Sequence, residues 1–290
     1  MTRSHPMASD LCGPALEREV HDAREAVARL ARSVDDDEGI HDLRVAVRRM
    51  RTFLRASRGL YRRGETRRIE RALRAVGQAT NPLRDEEVLA ETLEGIELTP
   101  TVRPRIEAWL RARRAALVAR RRDALEQLRA ARLEETLAAV AALVAEPRRD
   151  VEAARFAEER LDAERVDLVR LVARVRAEDV EPLHELRILF KRMRYLSDML
   201  GGPAGEGRAR LPHADAHLDA AAVAATFQKE LGLVHDLDVA RTVVSAAPEL
   251  HHATRASVER ALVRRRLTLA TDCLERLRLE LGQLLIPRRR

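Results

Sequence analysis

Apolar residues recur at steps of three and four along nearly the whole chain, and no run alternates apolar with polar residues as a half-buried strand does. With alanine, leucine, arginine and glutamate dominating, the pattern predicts an all-α fold. Glycine and proline cut it into helix-sized pieces at Gly39, between Gly59 and Gly64, at Thr80 to Pro82, between Gly95 and Pro104, at Pro147, around Pro182, through 201–207 and at Pro248. From Arg105 to Glu146 there is neither glycine nor proline, and Ile106, Leu110, Leu117, Ala124, Leu125 and Leu128 keep one stripe. That predicts a single unusually long helix, with a counterpart beginning near Pro248.

Two stretches repeat. HDLRVAVRRMR at 41–51 and HELRILFKRMR at 184–194 agree without a gap at six positions, an offset of 143, and PLRDEEV at 82–88 falls opposite LVHDLDV at 233–239, an offset of 151. An internal duplication follows, with halves at about 10–147 and 148–287. Each half holds roughly four helices, enough to close a bundle around an apolar centre. Residues 1–9 are expected to be a flexible N-terminus, 288–290 a basic tail, and 201–207 an insertion or hinge within the second half.

The repeated helices are sharply two-faced. At 100° per residue His41, Arg44, Arg48, Arg51 and Arg55 fall within about 80°, opposite Leu43, Val47, Met50 and Leu54, in a row roughly 21 Å long. The second copy places His184, Arg187, Lys191 and Arg194 on the same arc, with Asp198 where Arg55 stands. A helix stabilised for its own sake would interleave acids one turn away, so their absence points to an external anion. Packed face to face by a pseudo-twofold, the halves would line one basic groove or pore. Arg113 and Arg265 lie inside apolar stripes, between Leu110 and Leu117 and between Leu262 and Leu269, and are expected to face a polar interior. Both histidines open their helices, where free amide donors and the dipole suit a phosphate, and binding is expected to tighten as pH falls below about 6.5.

Charge points the same way: 54 basic against 47 acidic residues give a net charge of +7, and all the basic residues but Lys191 and Lys229 are arginine. The two cysteines, Cys12 and Cys273, form neither a disulfide framework nor a thiolate metal site, which suits a reducing compartment. Without a signal-like or membrane-spanning apolar run, the expected location is the cytoplasm, with no membrane partner. No phosphate loop, H-E-x-x-H or nucleophile elbow occurs, so no enzyme, catalytic residue or cofactor is expected. His213, Asp215 and His217 lack a further ligand in register, and Asp236 and Asp238 would either recruit a divalent ion or cap a helix; no metal site is assigned. Nucleic-acid backbones are the alternative anion, disfavoured by only seven aromatic residues, and a scaffold role docking an acidic protein is a further alternative.

The twin H-x-L-R-x-x-x-[RK]-R-M-R helices and the R-D-x-x-V turn resemble the CHAD family, the conserved-histidine α-helical domain, over about 10–287. The resemblance implies two four-helix bundles about a pseudo-twofold, a basic central channel, and non-catalytic binding of inorganic polyphosphate; storage, sensing and targeting to polyphosphate granules are the alternative roles. Carried over by position, the ligand-facing set is His41, Arg44, Arg48, Arg51 and Arg55 with His184, Arg187, Lys191 and Arg194. Arg84 joins it from the R-D-x-x-V turn; the second copy departs there, with His235 in its place. An E-x-E-x-K strand of the attached CYTH triphosphatase domain does not occur, which implies a free-standing domain.

Overall fold

A computed structural model of the chain describes residues 6–33, 36–130, 132–201 and 214–285. These form ten helices: α1 (Ala8–Arg32), α2 (Asp37–Ala56), α3 (Arg63–Glu94), α4 (Arg103–Ala115), α5 (Leu117–Ala130), α6 (Leu133–Ala145), α7 (Ala153–Val172), α8 (Glu181–Gly201), α9 (Ala214–Ser245) and α10 (His252–Leu285). Among the described residues the β pairing is a lone bridge between Met7 and Glu152. The all-α expectation holds.

Three boundaries differ from the sequence reading. Residues 6–9 are docked: the Ala8 amide donates to the Val151 carbonyl at 2.8 Å, the Ala153 amide to Pro6 at 2.9 Å, and the Ser9 hydroxyl to Asp150. Thr80 to Pro82 is no break, because α3 runs through it with Pro82 on its exposed side, where water reaches the carbonyl the ring leaves without a donor. R-D-x-x-V is therefore mid-helix. Finally, the single helix expected from Arg105 to Glu146 is three helices, interrupted at Ala116 and at Arg132, which takes a left-handed φ of 50°. Packing explains this break: Ile106 and Trp109 of α4 join one apolar cluster, whereas Ala124, Leu128 and Leu137 fold back into another against α1 and α3. Its counterpart α10 stays continuous.

The core has three parts. The first gathers α1, α2, α3, α5 and α6 with the start of α7 and with Tyr195 and Leu196 of α8. The second holds the end of α7 with α8, α9 and α10. The third straddles the expected halves, setting Leu89, Leu93, Ile106 and Trp109 against Leu237, Val244 and Leu262. At the centre α2 packs on α3 and α8, and α9 packs on α8 and α3. The basic rows lie on two of those four helices. Residues 201–207 and 288–290 fall, but for Gly201, outside the described residues.

Candidate functional site

Helix α2 starts where the acidic run ends. Asp36 accepts the Gly39 amide at 2.8 Å, and Gly39 lies so close to α1 that a Cβ there would meet the Leu30 side chain at 3.0 Å. One of the N-terminal donors expected to receive a phosphate is thus taken by a carboxylate. Beyond it the apolar face sinks into the first core, leaving Arg44, Arg48 and Arg51 half-buried and His41 and Arg55 exposed. Arg44 is fastened to α3, its Nη1 donating to Thr80 Oγ1 at 2.8 Å, Asn81 Oδ1 at 3.1 Å and the Gly77 carbonyl at 3.4 Å. Arg51 lies within electrostatic reach of Arg55 and Arg74, and burial with their charges depresses its guanidinium. Arg48 crosses to α8, donating Nε to the Tyr195 hydroxyl at 2.8 Å.

The α8 row meets different partners. Arg187 takes the place of Arg44, but Gly232 stands where Asn81 would be, and the buried Arg187 Nε has no hydrogen-bond partner. Burial and Arg48 hold the guanidinium below its ordinary value, with Asp236 opposing. Lys191 lies among Arg187, Arg48 and Arg44; burial, then those like charges, push its ammonium down to about 7. His184 and His235 face each other with Nδ1 atoms 3.2 Å apart, a contact that requires at least one nitrogen without a proton. Burial and the neighbouring cations lower both rings, His235 to about 4. The pH response expected below 6.5 therefore moves lower for this pair, and Lys191 becomes the group that titrates near neutrality. Arg194 reaches Gln228 at 3.5 Å.

Around Tyr195, which is 1 % exposed, stand Arg48, Arg49 and Arg194, each with its guanidinium carbon within 6 Å of the ring centre. They border a cleft of about 530 Å³ into which His41 opens, with Glu19, Asp22 and Glu25 on its α1 wall. His41 is therefore on the α1 side of Arg48, and His184 is paired with α9. Two symmetric histidine positions on one channel wall are not what these surroundings give.

Of three further expected residues, two lie elsewhere. Arg113 ion-pairs with Glu86, which also receives Arg120, and stacks over Trp109 at 4.8 Å; its polar interior is a salt bridge. Arg265 is exposed, and the next residue turns inward instead. Arg266, 5 % exposed, donates to Asp238 at 3.0 Å and to the carbonyls of Ala177 and Asp179. The apolar stripe of α10 placed the arginine one position early. Arg84 contacts Glu87 at 3.4 Å and lies within reach of both Arg44 and Asp236, which keeps it beside the centre.

Tyr195, Arg49, Thr80 and Asn81 were missed, although Tyr195 directly follows the second row and could have been found by extending it. Asp236 and Asp238 sit inside α9 and cap nothing. Among the described residues no cluster of three or more metal-ligating side chains occurs; His213 and the side chains of Asp215 and His217 fall outside them. No described helix is long and apolar enough to cross a membrane.

The sequence profile of the CHAD domain matches residues 14–245. In structure the chain is similar to the crystal structure of the CHAD domain from the plant Ricinus communis, with a TM-score of 0.74 at 22% identity, over 96% of this chain and 92% of that one. It is likewise similar to PptA from Streptomyces chartreusis, with a TM-score of 0.70 at 16% identity, over 94% of this chain and all of that one. At such identities the likeness is one of fold. No match was found among curated proteins. The profile match over most of the chain, on the helices that carry both basic rows, establishes that the chain belongs to the CHAD domain family.

Proposed function

We propose that the protein binds inorganic polyphosphate without chemical turnover, in a basic channel where α2, α3, α8 and α9 meet. The observation that carries this is the half-buried group of Arg44, Arg48, Arg187 and Lys191, which lie in one another's field. Burying such like charge is unfavourable in the unliganded protein: burial first, then the neighbouring cations, depresses Lys191, and an anion relieves both. Arg187, with its buried Nε unpartnered, supplies the donor that a phosphoryl oxygen would take.

The reading includes an internal duplication. Arg44 and Arg187 correspond at the offset of 143, and each lies within reach of one of Asp85 and Asp236, which correspond at 151. A channel bounded by these four helices would admit a thin linear polyanion and exclude a duplex. Binding of this kind would place the protein in the cytoplasm on polyphosphate granules.

Titration calorimetry with long-chain polyphosphate, duplex DNA and single-stranded RNA at one ionic strength tests the proposal. Polyphosphate is expected to bind tightly and both nucleic acids weakly. Equal affinities for the three would mean an open basic surface and would sink the proposal in favour of nucleic-acid or acidic-protein docking.

A further inference from the structure

A second arginine row, on α3, leads away from the central cations. Arg63, Arg67, Arg71 and Arg74 are exposed. At 100° per residue they lie within about 80° of one another, over roughly 17 Å of helix. The same face, followed toward the end of α3, reaches Asn81, which holds Arg44 at 3.1 Å. One helix face thus begins at the surface and ends at the central site.

Helix α2 runs antiparallel alongside. Arg44 meets Thr80, Arg51 lies beside Gly77 and Arg74, and Arg58 meets Glu70 at 3.1 Å. In this register Arg55 falls next to Arg71. The acid on the seam, Glu70, is engaged by Arg58, whereas Arg67, Arg71 and Arg74 pair with no carboxylate among the described residues. Glu70 lies on the same face, three residues after Arg67 and four before Arg74, but it is shared with Arg58 and Arg51, so the seam keeps a surplus of positive charge.

The other half carries far less of this feature. At the offset of 151, Arg71 and Arg74 correspond to Ala222 and Ala225 of α9, and at 143 Arg55 corresponds to Asp198 of α8. Three matched positions on two helices therefore lose a cation on that side, against one gained, Lys229 of α9 at the place of Gln78.

We infer that a linear polyanion held at the centre leaves the protein along the α2–α3 seam, over Arg51, Arg55, Arg71 and Arg74, and not along α8–α9. The inference rests on the polyphosphate reading and deepens it: the seam carries the part of a chain too long for the central site. A longer polymer gains contacts that a short one never reaches.

The test compares linear hexaphosphate with long-chain polyphosphate on the wild type, on the triple variant Arg67→Gln, Arg71→Gln, Arg74→Gln, and on Arg187→Met. In the triple variant the long chain is expected to lose roughly tenfold in affinity, with a salt slope shallower by about two. Hexaphosphate should bind that variant as it binds the wild type, and Arg187→Met should weaken both polymers. Helical circular dichroism should not change, since the three arginines are exposed. Equal losses for both polymers would make the row part of the central site, and no loss for the long chain would leave the seam unused; either overturns the exit track. A wild type that binds neither polymer overturns the parent reading instead.

Discussion

Arg44 and Arg187 occupy matched positions on α2 and α8, yet one is fastened and the other is not. Removing the Arg44 side chain in Arg44→Ala breaks its bonds to Thr80 and Asn81 and should cost about 1–3 kcal/mol in urea unfolding. Arg187→Met removes a buried charge without a hydrogen bond on Nε and should leave stability unchanged or raise it by about 1 kcal/mol. The same substitution should weaken polyphosphate binding by roughly tenfold or more. Loss of the fold in Arg187→Met would make that residue structural. Lys191 sets the pH response. Its folded value of about 7 against 10.5 means that the unfolded chain takes the proton first as pH falls, so stability declines from about pH 10 to about 7 and is constant in this respect below. A bound polyanion restores the proton, so affinity should rise as pH falls through that window, and Lys191→Met should flatten both profiles in calorimetry and denaturant titration.

At the scale of helices, periodicity read from sequence located a buried arginine on α10 but shifted it by one residue. The side chain that enters is Arg266, joining α10 to α9 through Asp238 and to the segment between α7 and α8 through two carbonyls. Arg266→Ala strands a largely buried carboxylate and should cost about 3–5 kcal/mol. Arg265→Ala, one position away on the exposed side, should stay within about 0.5 kcal/mol. Equal effects in thermal unfolding would contradict this placement. Helix existence was legible throughout because the apolar stripes are long. Helix ends were less so: Pro82 reads locally as a stop, but on an exposed face its missing amide is tolerated. The breaks at Ala116 and Arg132 have no glycine or proline to announce them.

For the molecule as a whole, the boundary expected near 147 does not separate cores. Leu89, Leu93, Ile106 and Trp109 need Leu237, Val244 and Leu262, and Phe156, Leu161 and Tyr195 complete the first cluster from beyond that boundary. A fragment of residues 1–147 should therefore expose apolar surface and lack a cooperative transition when followed by Trp109 fluorescence in urea. A sharp transition would show that the first half folds alone.

Local pattern alone determined the all-α class, the two basic rows and their repetition, because amphipathic spacing and charge placement along a helix are properties of neighbouring residues. The surroundings of those rows came only from the tertiary structure. Asn81 and Gly232 decide whether an arginine is held or left free, yet nothing in the residues around them says which arginine they will face. His184 meets His235 across 51 positions, and Arg48 meets Tyr195 across 147. Burial and electrostatic coupling depend on distances between helices, and packing of the whole chain sets those distances.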